Sequence, residues 1–258
     1  MNKNLVITFL LLILGFTGYT QDSNQKEASG KEDRIKYSKL RRLVKKNNLI
    51  QIKELISIGL SSCELDDILY CASDFGNYQM AMLVIQKGAN ANKQYDNKAA
   101  AILISTGSEN GNILVTELLL ENGANVNMLG TFGETALRSS VFDHDYPLFK
   151  LLIENGADIN FKCGECCDGT PLLYTCGNGT YEMAEYLISR VSSINQLNCK
   201  GENALMYAIG NDNSGIAKLL IDNNIDLTHV DDYGYTAEYY ANYSKNYYIY
   251  ILFNDIED

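Results

Sequence analysis

Three cysteines, Cys163, Cys166 and Cys167, fall in the run Cys-Gly-Glu-Cys-Cys, and Cys199 follows in the next stretch of similar pattern. The two-residue gap between Cys163 and Cys166 suits tetrahedral thiolate ligation of zinc, with Cys199 as a further ligand. That reading lacks a second Cys-x-x-Cys pair and a nearby histidine. A disulfide to Cys199 is the competing reading in an oxidising compartment. A redox pair is the third, but it requires a helix start in a βαβ unit, and this run precedes a turn. No metal site is assigned, and Cys163, Cys166, Cys167 and Cys199 are the candidates should one exist. Cys71 and Cys176 read as small buried thiols inside helices, and Cys63 completes the odd count of seven.

Nothing else in the chain has catalytic spacing. The two histidines, His144 and His229, lie far apart, and no Ser-His-Asp or Cys-His arrangement surrounds them. Asp231-Asp232 belongs to a turn, where aspartate bonds its own backbone. There is no glycine-rich phosphate loop. The expectation is a protein without a catalytic site or cofactor.

The elements that carry these residues repeat. Small or short residues recur at Ala72, Gly107, Ser140, Thr175, Ala208 and Ala241, at spacings of 33 or 35. An apolar doublet follows most of them at a fixed distance: Val84-Ile85, Leu119-Leu120, Leu152-Ile153, Leu187-Ile188 and Leu220-Ile221. Gly88-Ala89, Gly123-Ala124 and Gly156-Ala157 then end a helix, glycine suiting the left-handed position there. A shorter copy runs from Tyr37 to Leu60, and the last slips to Ile251-Leu252-Phe253, which makes seven units. One such unit buries too little apolar surface to offset the entropy of ordering it, so the units must stack, with polar caps at both ends. The basic first copy and the tyrosine-rich last one fit those caps. The period and the short helices it implies give an all-α fold.

Gly169-Thr170-Pro171-Leu172, with Gly133-Glu134-Thr135-Ala136-Leu137 and Gly201-Glu202-Asn203-Ala204-Leu205 as variants, resembles the turn and first-helix start of ankyrin repeats. Asn122-Gly123-Ala124-Asn125-Val126-Asn127 and Asn155-Gly156-Ala157-Asp158-Ile159-Asn160 resemble the family's second-helix exit. The resemblance spans about residues 36–255 and implies an ankyrin-repeat solenoid that binds proteins. One departure stands out: where the family carries a histidine, this sequence has Tyr70, Ser105, Arg138, Leu173, Met206 and Tyr239. The hydrogen bonds that histidine makes between repeats must be made otherwise.

The resemblance implies a binding face formed by the finger-like turns and the outer side of each first helix. Carried over, the partner-binding positions are Glu64, Asp66, Phe75, Phe132, Glu134, Phe142, Asp143, Tyr233, Tyr235 and Tyr243. Aromatics supply anchors and carboxylates steer, which suits a protein partner with a basic or apolar surface. The competing reading is that these carboxylates only solvate the face and the aromatics pack on neighbouring fingers.

Net charge is −11, and the one basic run, Lys39 to Lys46, reads as a solvated helix face, so nucleic acid is not an expected partner. Lys3 followed by a twelve-residue run from Leu5 to Phe16, apolar but for Thr8, is a secretory signal pattern. The run is short for a membrane span, though an anchor over residues 5–19 is the alternative. Residues 1–20 are therefore read as a signal peptide, 21–35 as a polar spacer and 36–258 as the repeat domain. The mature protein is expected to be monomeric, secreted or periplasmic, and without a stable membrane span. A structural or protective envelope protein and an effector acting on a host protein are the rival functions.

Overall fold

A computed structural model describes residues 37–94, 100–107, 113–130, 133–162, 169–244 and 246–254. Among these the chain forms fourteen helices and two isolated antiparallel bridges, Leu197 with Asn203 and Val230 with Thr236. The helices are α1 (37–45), α2 (Leu49–Ile58), α3 (Ser62–Asp74), α4 (Tyr78–Gln86), α5 (Ala101–Gly107), α6 (Ile113–Glu121) and α7 (Ala136–Phe142). They continue as α8 (Tyr146–Glu154), α9 (Pro171–Asn178), α10 (Tyr181–Ile188), α11 (Ala204–Gly210), α12 (Ser214–Asp222), α13 (Ala237–Tyr243) and α14 (Tyr247–Asn254). The all-helical fold matches the expectation from the period.

Local chemistry sets the helix ends. The side chains of Asn48, Asn77, Thr135, Asp145, Thr180, Asn203 and Thr236 each accept a first-turn backbone N–H. Inside four of the pairs the chain reverses through a residue of positive φ: Asn47 at 50°, Gly76 at 62°, His144 at 54° and Asp212 at 57°. His144 is thus a turn residue. The exits of α4, α6 and α8 use Gly88, Gly123 and Gly156, as the Gly-Ala pattern requires, and Asn224 at φ 60° takes the same place after α12.

The described residues divide into two compact units. In the first, residues 37–94 and 100–124, α3 packs on α4 and α5, and α4 on α6. In the second, from residue 125 onward, α7, α9, α11 and α13 form one row and α8, α10, α12 and α14 another. The apolar doublets behave differently from a fully buried pair. Val84, Leu119, Leu152, Leu187 and Leu220 are fully buried, while Ile85, Leu120, Ile153, Ile188 and Ile221 are half-buried.

Asparagines make the bonds between pairs that the missing histidines do not. Asn92 Nδ2 donates to Gly123 O at 2.7 Å within the first unit. In the second, Asn127 Nδ2 donates to Gly156 O at 3.0 Å while its Oδ1 accepts from Asp158 N at 2.8 Å, and Asn195 Oδ1 accepts from Asp226 N at 3.0 Å. Ser105, at a histidine position, shares a buried 2.9 Å hydroxyl contact with Thr116.

Candidate binding face

In the second unit, two successive turns are built by the same side-chain device, 33 residues apart. Asn198 Oδ1 accepts the N–H groups of Lys200 and Glu202 at 2.8 and 2.9 Å. Asp231 Oδ1 accepts those of Tyr233 and Tyr235, both at 2.9 Å. Each loop is then closed by a backbone pair, Asn198 N to Glu202 O and Asp231 N to Tyr235 O, both 3.0 Å. The second turn docks on the first through Asp232 N to Lys200 O at 3.0 Å. His229 Nε2 meets Gly201 O at 2.6 Å, which gives the second histidine a structural partner.

Asp231 is buried, and its other oxygen accepts from the Tyr240 hydroxyl at 2.7 Å. Burial alone raises its carboxyl, but the N–H of Tyr235, the Tyr240 hydroxyl and the N–H groups of Tyr233 and Gly234 outweigh it and hold the pKa below the ordinary value. Tyr240 is pushed upward by burial first, then by its bond to Asp231 and the negative charge of Glu202.

This turn launches a row of tyrosines. Tyr235, Tyr239 and Tyr243 stand four residues apart, on one side of α13. The Tyr235 and Tyr239 rings stack at 4.0 Å with 8° between their planes. Tyr239 continues to Tyr243 at 4.7 Å, and Tyr233 extends the other end at 6.4 Å from Tyr235. All four rings are exposed, Tyr243 to 75% and Tyr233 to 67%. The Tyr239 hydroxyl is pushed up to about 12 by lost hydration and by hydrogen bonds with Tyr235 and Tyr243, so it remains protonated at neutral pH.

The other expected positions fare unevenly. In α7, Phe142 is 41% exposed with Asp143 beside it, and the Arg138 guanidinium lies 4.6 Å above the Phe142 ring. Glu134 is half-buried at the preceding turn, where its carbonyl accepts from Gly130 N. Phe75 is half-buried under Arg41 and Lys45 of α1, 5.1 and 5.8 Å from its centroid, and Arg41 also pairs with Asp74 at 2.9 Å. Phe132 lies outside the described residues.

Glu64 and Asp66, expected on the exposed face, are both buried. Ser61 and Glu64 form a capping box, with Ser61 N donating to Glu64 Oε2 at 2.7 Å, so α3 begins at Ser62 and turns the expected finger into a helix. Asp66 Oδ1 is turned inward to accept from Asn90 N at 2.7 Å. Tyr239 was not among the expected contacts, although the four-residue spacing of Tyr235, Tyr239 and Tyr243 is the signal that marks it.

Cys63, Cys71 and Cys176 are not in disulfides, the last two fully buried in first helices as expected. Burial pushes the Cys176 thiol up. Cys199 is disulfide-bonded, and a sulfur so engaged offers no thiolate to zinc. Cys163, Cys166 and Cys167 lie outside the described residues.

Paired helices arranged in rows, with stapled turns between pairs, define a helical repeat protein. A family model described as ankyrin repeats (three copies) matches residues 68–163, 137–231 and 172–257, and the chain belongs to the ankyrin-repeat family. Among curated proteins it is 34% identical over 121 residues to alpha-latrotoxin-Lg1a of Latrodectus geometricus, covering 46% of this chain and 9% of the toxin. It is 32% identical over 120 residues to a putative ankyrin repeat-containing protein of Treponema pallidum, covering 46% of this chain and 40% of that protein. The chain thus spans less than half the length of these relatives. Among solved structures, the human ASB11 ankyrin repeat domain superposes with a TM-score of 0.69 at 20% identity, covering 83% of this chain and 96% of that one. A structure titled as a predatory endopeptidase from Bdellovibrio bacteriovorus in complex with an immunity protein gives 0.65 at 24% identity, covering 72% of this chain and 96% of that one. These two likenesses concern the fold. Ankyrin repeats are generally protein–protein interaction modules, typically without catalysis.

Proposed function

We propose that this chain is an exported binding module of seven helix-pair units that takes a partner protein on the turns and first-helix ends of its second unit. The observation that carries this is the stacked, exposed row of Tyr233, Tyr235 and Tyr243 beside Asp232, with Phe142 and Asp143 on the same series of helices. Rings held by their neighbours lose little freedom on binding, and their amphipathic tips suit a protein surface. Net charge of −11 favours a basic or apolar partner surface. The leader-like residues 1–20 support export. Glu134 belongs to the same proposed face, whereas Glu64 and Asp66 are withdrawn from it.

The test is a pull-down with residues 21–258 from envelope and culture-supernatant fractions, against a Phe142→Ala, Tyr235→Ala, Tyr243→Ala variant with unchanged circular dichroism. A protein held by the wild type and lost from the folded variant supports the reading. Equal recovery by both sinks it. The disulfide at Cys199 favours a second reading, a stapled structural or protective envelope protein; under it, reduction lowers the melting temperature while no partner depends on the tyrosines.

A further inference from the structure

Position by position, α7 and α13 are equivalents, with Ser140 and Ala241 at matching places in the repeat. Two residues before and two after that place stand Arg138 and Phe142 in α7, and Tyr239 and Tyr243 in α13. In α7 the guanidinium covers the ring at 4.6 Å. The chain does the same elsewhere: Arg41 and Lys45 lie over Phe75, and Arg190 lies 3.5 Å from the centre of Tyr186. In α13 the cation is replaced by another ring, and among the described residues no lysine or arginine lies over Tyr233, Tyr235, Tyr239 or Tyr243.

We infer that the exposed Tyr233–Tyr235–Tyr239–Tyr243 row receives an arginine side chain of the partner protein, in a cation–ring contact of the kind that Arg138 makes with Phe142. This rests on the reading of the chain as a protein-binding module. Ring faces carry negative electrostatic potential and attract cations. The exposed carboxylates of Asp232 and Glu238, adjoining Tyr233 and Tyr239 in sequence, add to that field and repel an anionic ligand. Arginine fits better than lysine because its planar guanidinium stacks on a ring and still donates from its edge to phenolic oxygens, whereas an ammonium is a compact, strongly hydrated charge. The hydroxyls of Tyr235, Tyr239 and Tyr243, on rings that are themselves exposed, supply those acceptors. Because the rings are stacked on one another before any ligand arrives, little side-chain ordering opposes binding.

The experiment is titration calorimetry of residues 21–258 at about 0.15 M salt, where long-range charge effects are screened beyond about 8 Å. The probes are acetylated, glycine-flanked tetra-arginine, tetra-lysine and tetra-citrulline peptides. Tetra-arginine is expected to bind at least about fivefold more tightly than tetra-lysine, and the neutral citrulline peptide not measurably. Tyr243→Leu should weaken tetra-arginine at least about fivefold, and Tyr243→Phe, which keeps the ring, should retain most of the affinity. Tyr239→Arg places a cation inside the chain and should block the site. Tyr243 is 75% exposed, so its replacement leaves the core intact, and a thermal melt of each variant verifies this. Equal binding of arginine and lysine peptides, or wild-type affinity in the folded Tyr243→Leu and Tyr239→Arg proteins, overturns the inference and leaves only attraction to an acidic chain. A partner captured in the pull-down with no arginine preference here leaves the module reading standing and this inference overturned; the stated preference with no captured partner does the reverse.

Discussion

Helices α9 and α13 occupy the same place in two pairs of the second unit, with the α11–α12 pair between them, yet six of the eight residues of α9 are buried against two of the seven in α13. α9 packs against first helices on both sides, α7 and α11. Among the described residues α13 has such a neighbour only in α11. The sequence differs accordingly, with Leu172, Leu173, Tyr174 and Cys176 in one helix and Glu238, Tyr239, Asn242 and Tyr243 in the other. Burial in a repeat fold therefore belongs to the neighbours as much as to the unit, and a row's last helix can devote its open side to other ends.

The most direct way to break this comparison is to cut into α9. Leu172→Ala removes a fully buried side chain and should cost about 2–5 kcal/mol, read as a lower urea midpoint; a loss under about 1 kcal/mol would mean that two-sided packing does not govern the middle of the row. Next, Asp231→Ala leaves the N–H groups of Tyr233 and Tyr235 without their side-chain acceptor and the Tyr240 hydroxyl with only its longer bond to Glu202 Oε1 at 3.2 Å, which should cost roughly 2–3 kcal/mol. Hydrogen exchange should show the loss in the α13–α14 pair and spare α9.

The same carboxylate gives a pH dependence. Its folded pKa lies below the unfolded value of about 3.9, so its contribution is fully present above that value and is lost as pH falls through the lower folded pKa. Asp231→Asn should flatten the acid limb of α13 protection, and an unchanged limb would assign that limb to other groups. A smaller effect is expected at Gly201, which sits at φ 72° and where an added Cβ would lie 2.6 Å from Asp232 Oδ1 and 3.0 Å from Asp232 N. Gly201→Ala should cost about 1–2 kcal/mol in a thermal melt by loosening one turn from the next. Smallest of all, Tyr243→Ser should change stability by less than about 0.5 kcal/mol, as expected of a side chain given to the surface.

The helix pairs were legible because their punctuation is local. Glycines after α4, α6 and α8 must adopt positive φ, and Thr135, Asn203 and Thr236 cap the helices they precede. Burial of Glu64 and Asp66 was missed because a family turn was laid over Ser61-Cys63-Glu64, although Ser-x-x-Glu is itself a helix-start signal. The half-burial of Ile85, Leu120, Ile153, Ile188 and Ile221 could not be read from an apolar doublet, since periodicity marks a face and not its edge. Asn127 was read as part of a helix exit, and Asn92 and Asn195 drew no reading; the bonds of Asn92, Asn127 and Asn195 to Gly123, Gly156 and Asp226 join groups that come together only when pairs stack. The candidate site was half legible: the family resemblance put Tyr233, Tyr235 and Tyr243 on the expected face, while Tyr239 was counted as part of the tyrosine-rich cap and as a departure from a histidine.

Cys176 sits fully buried in the middle of α9, its thiol unpaired and held in the neutral form by its surroundings. The thiolate is the form that attacks alkylating reagents, so this sulfur reacts only in the moments when α9 separates from its neighbours. Exposed Cys63 reacts from the outset and sets the zero of the scale. The molecule thus carries its own stopwatch, and the lag between the two labels times how often the middle of the row breathes.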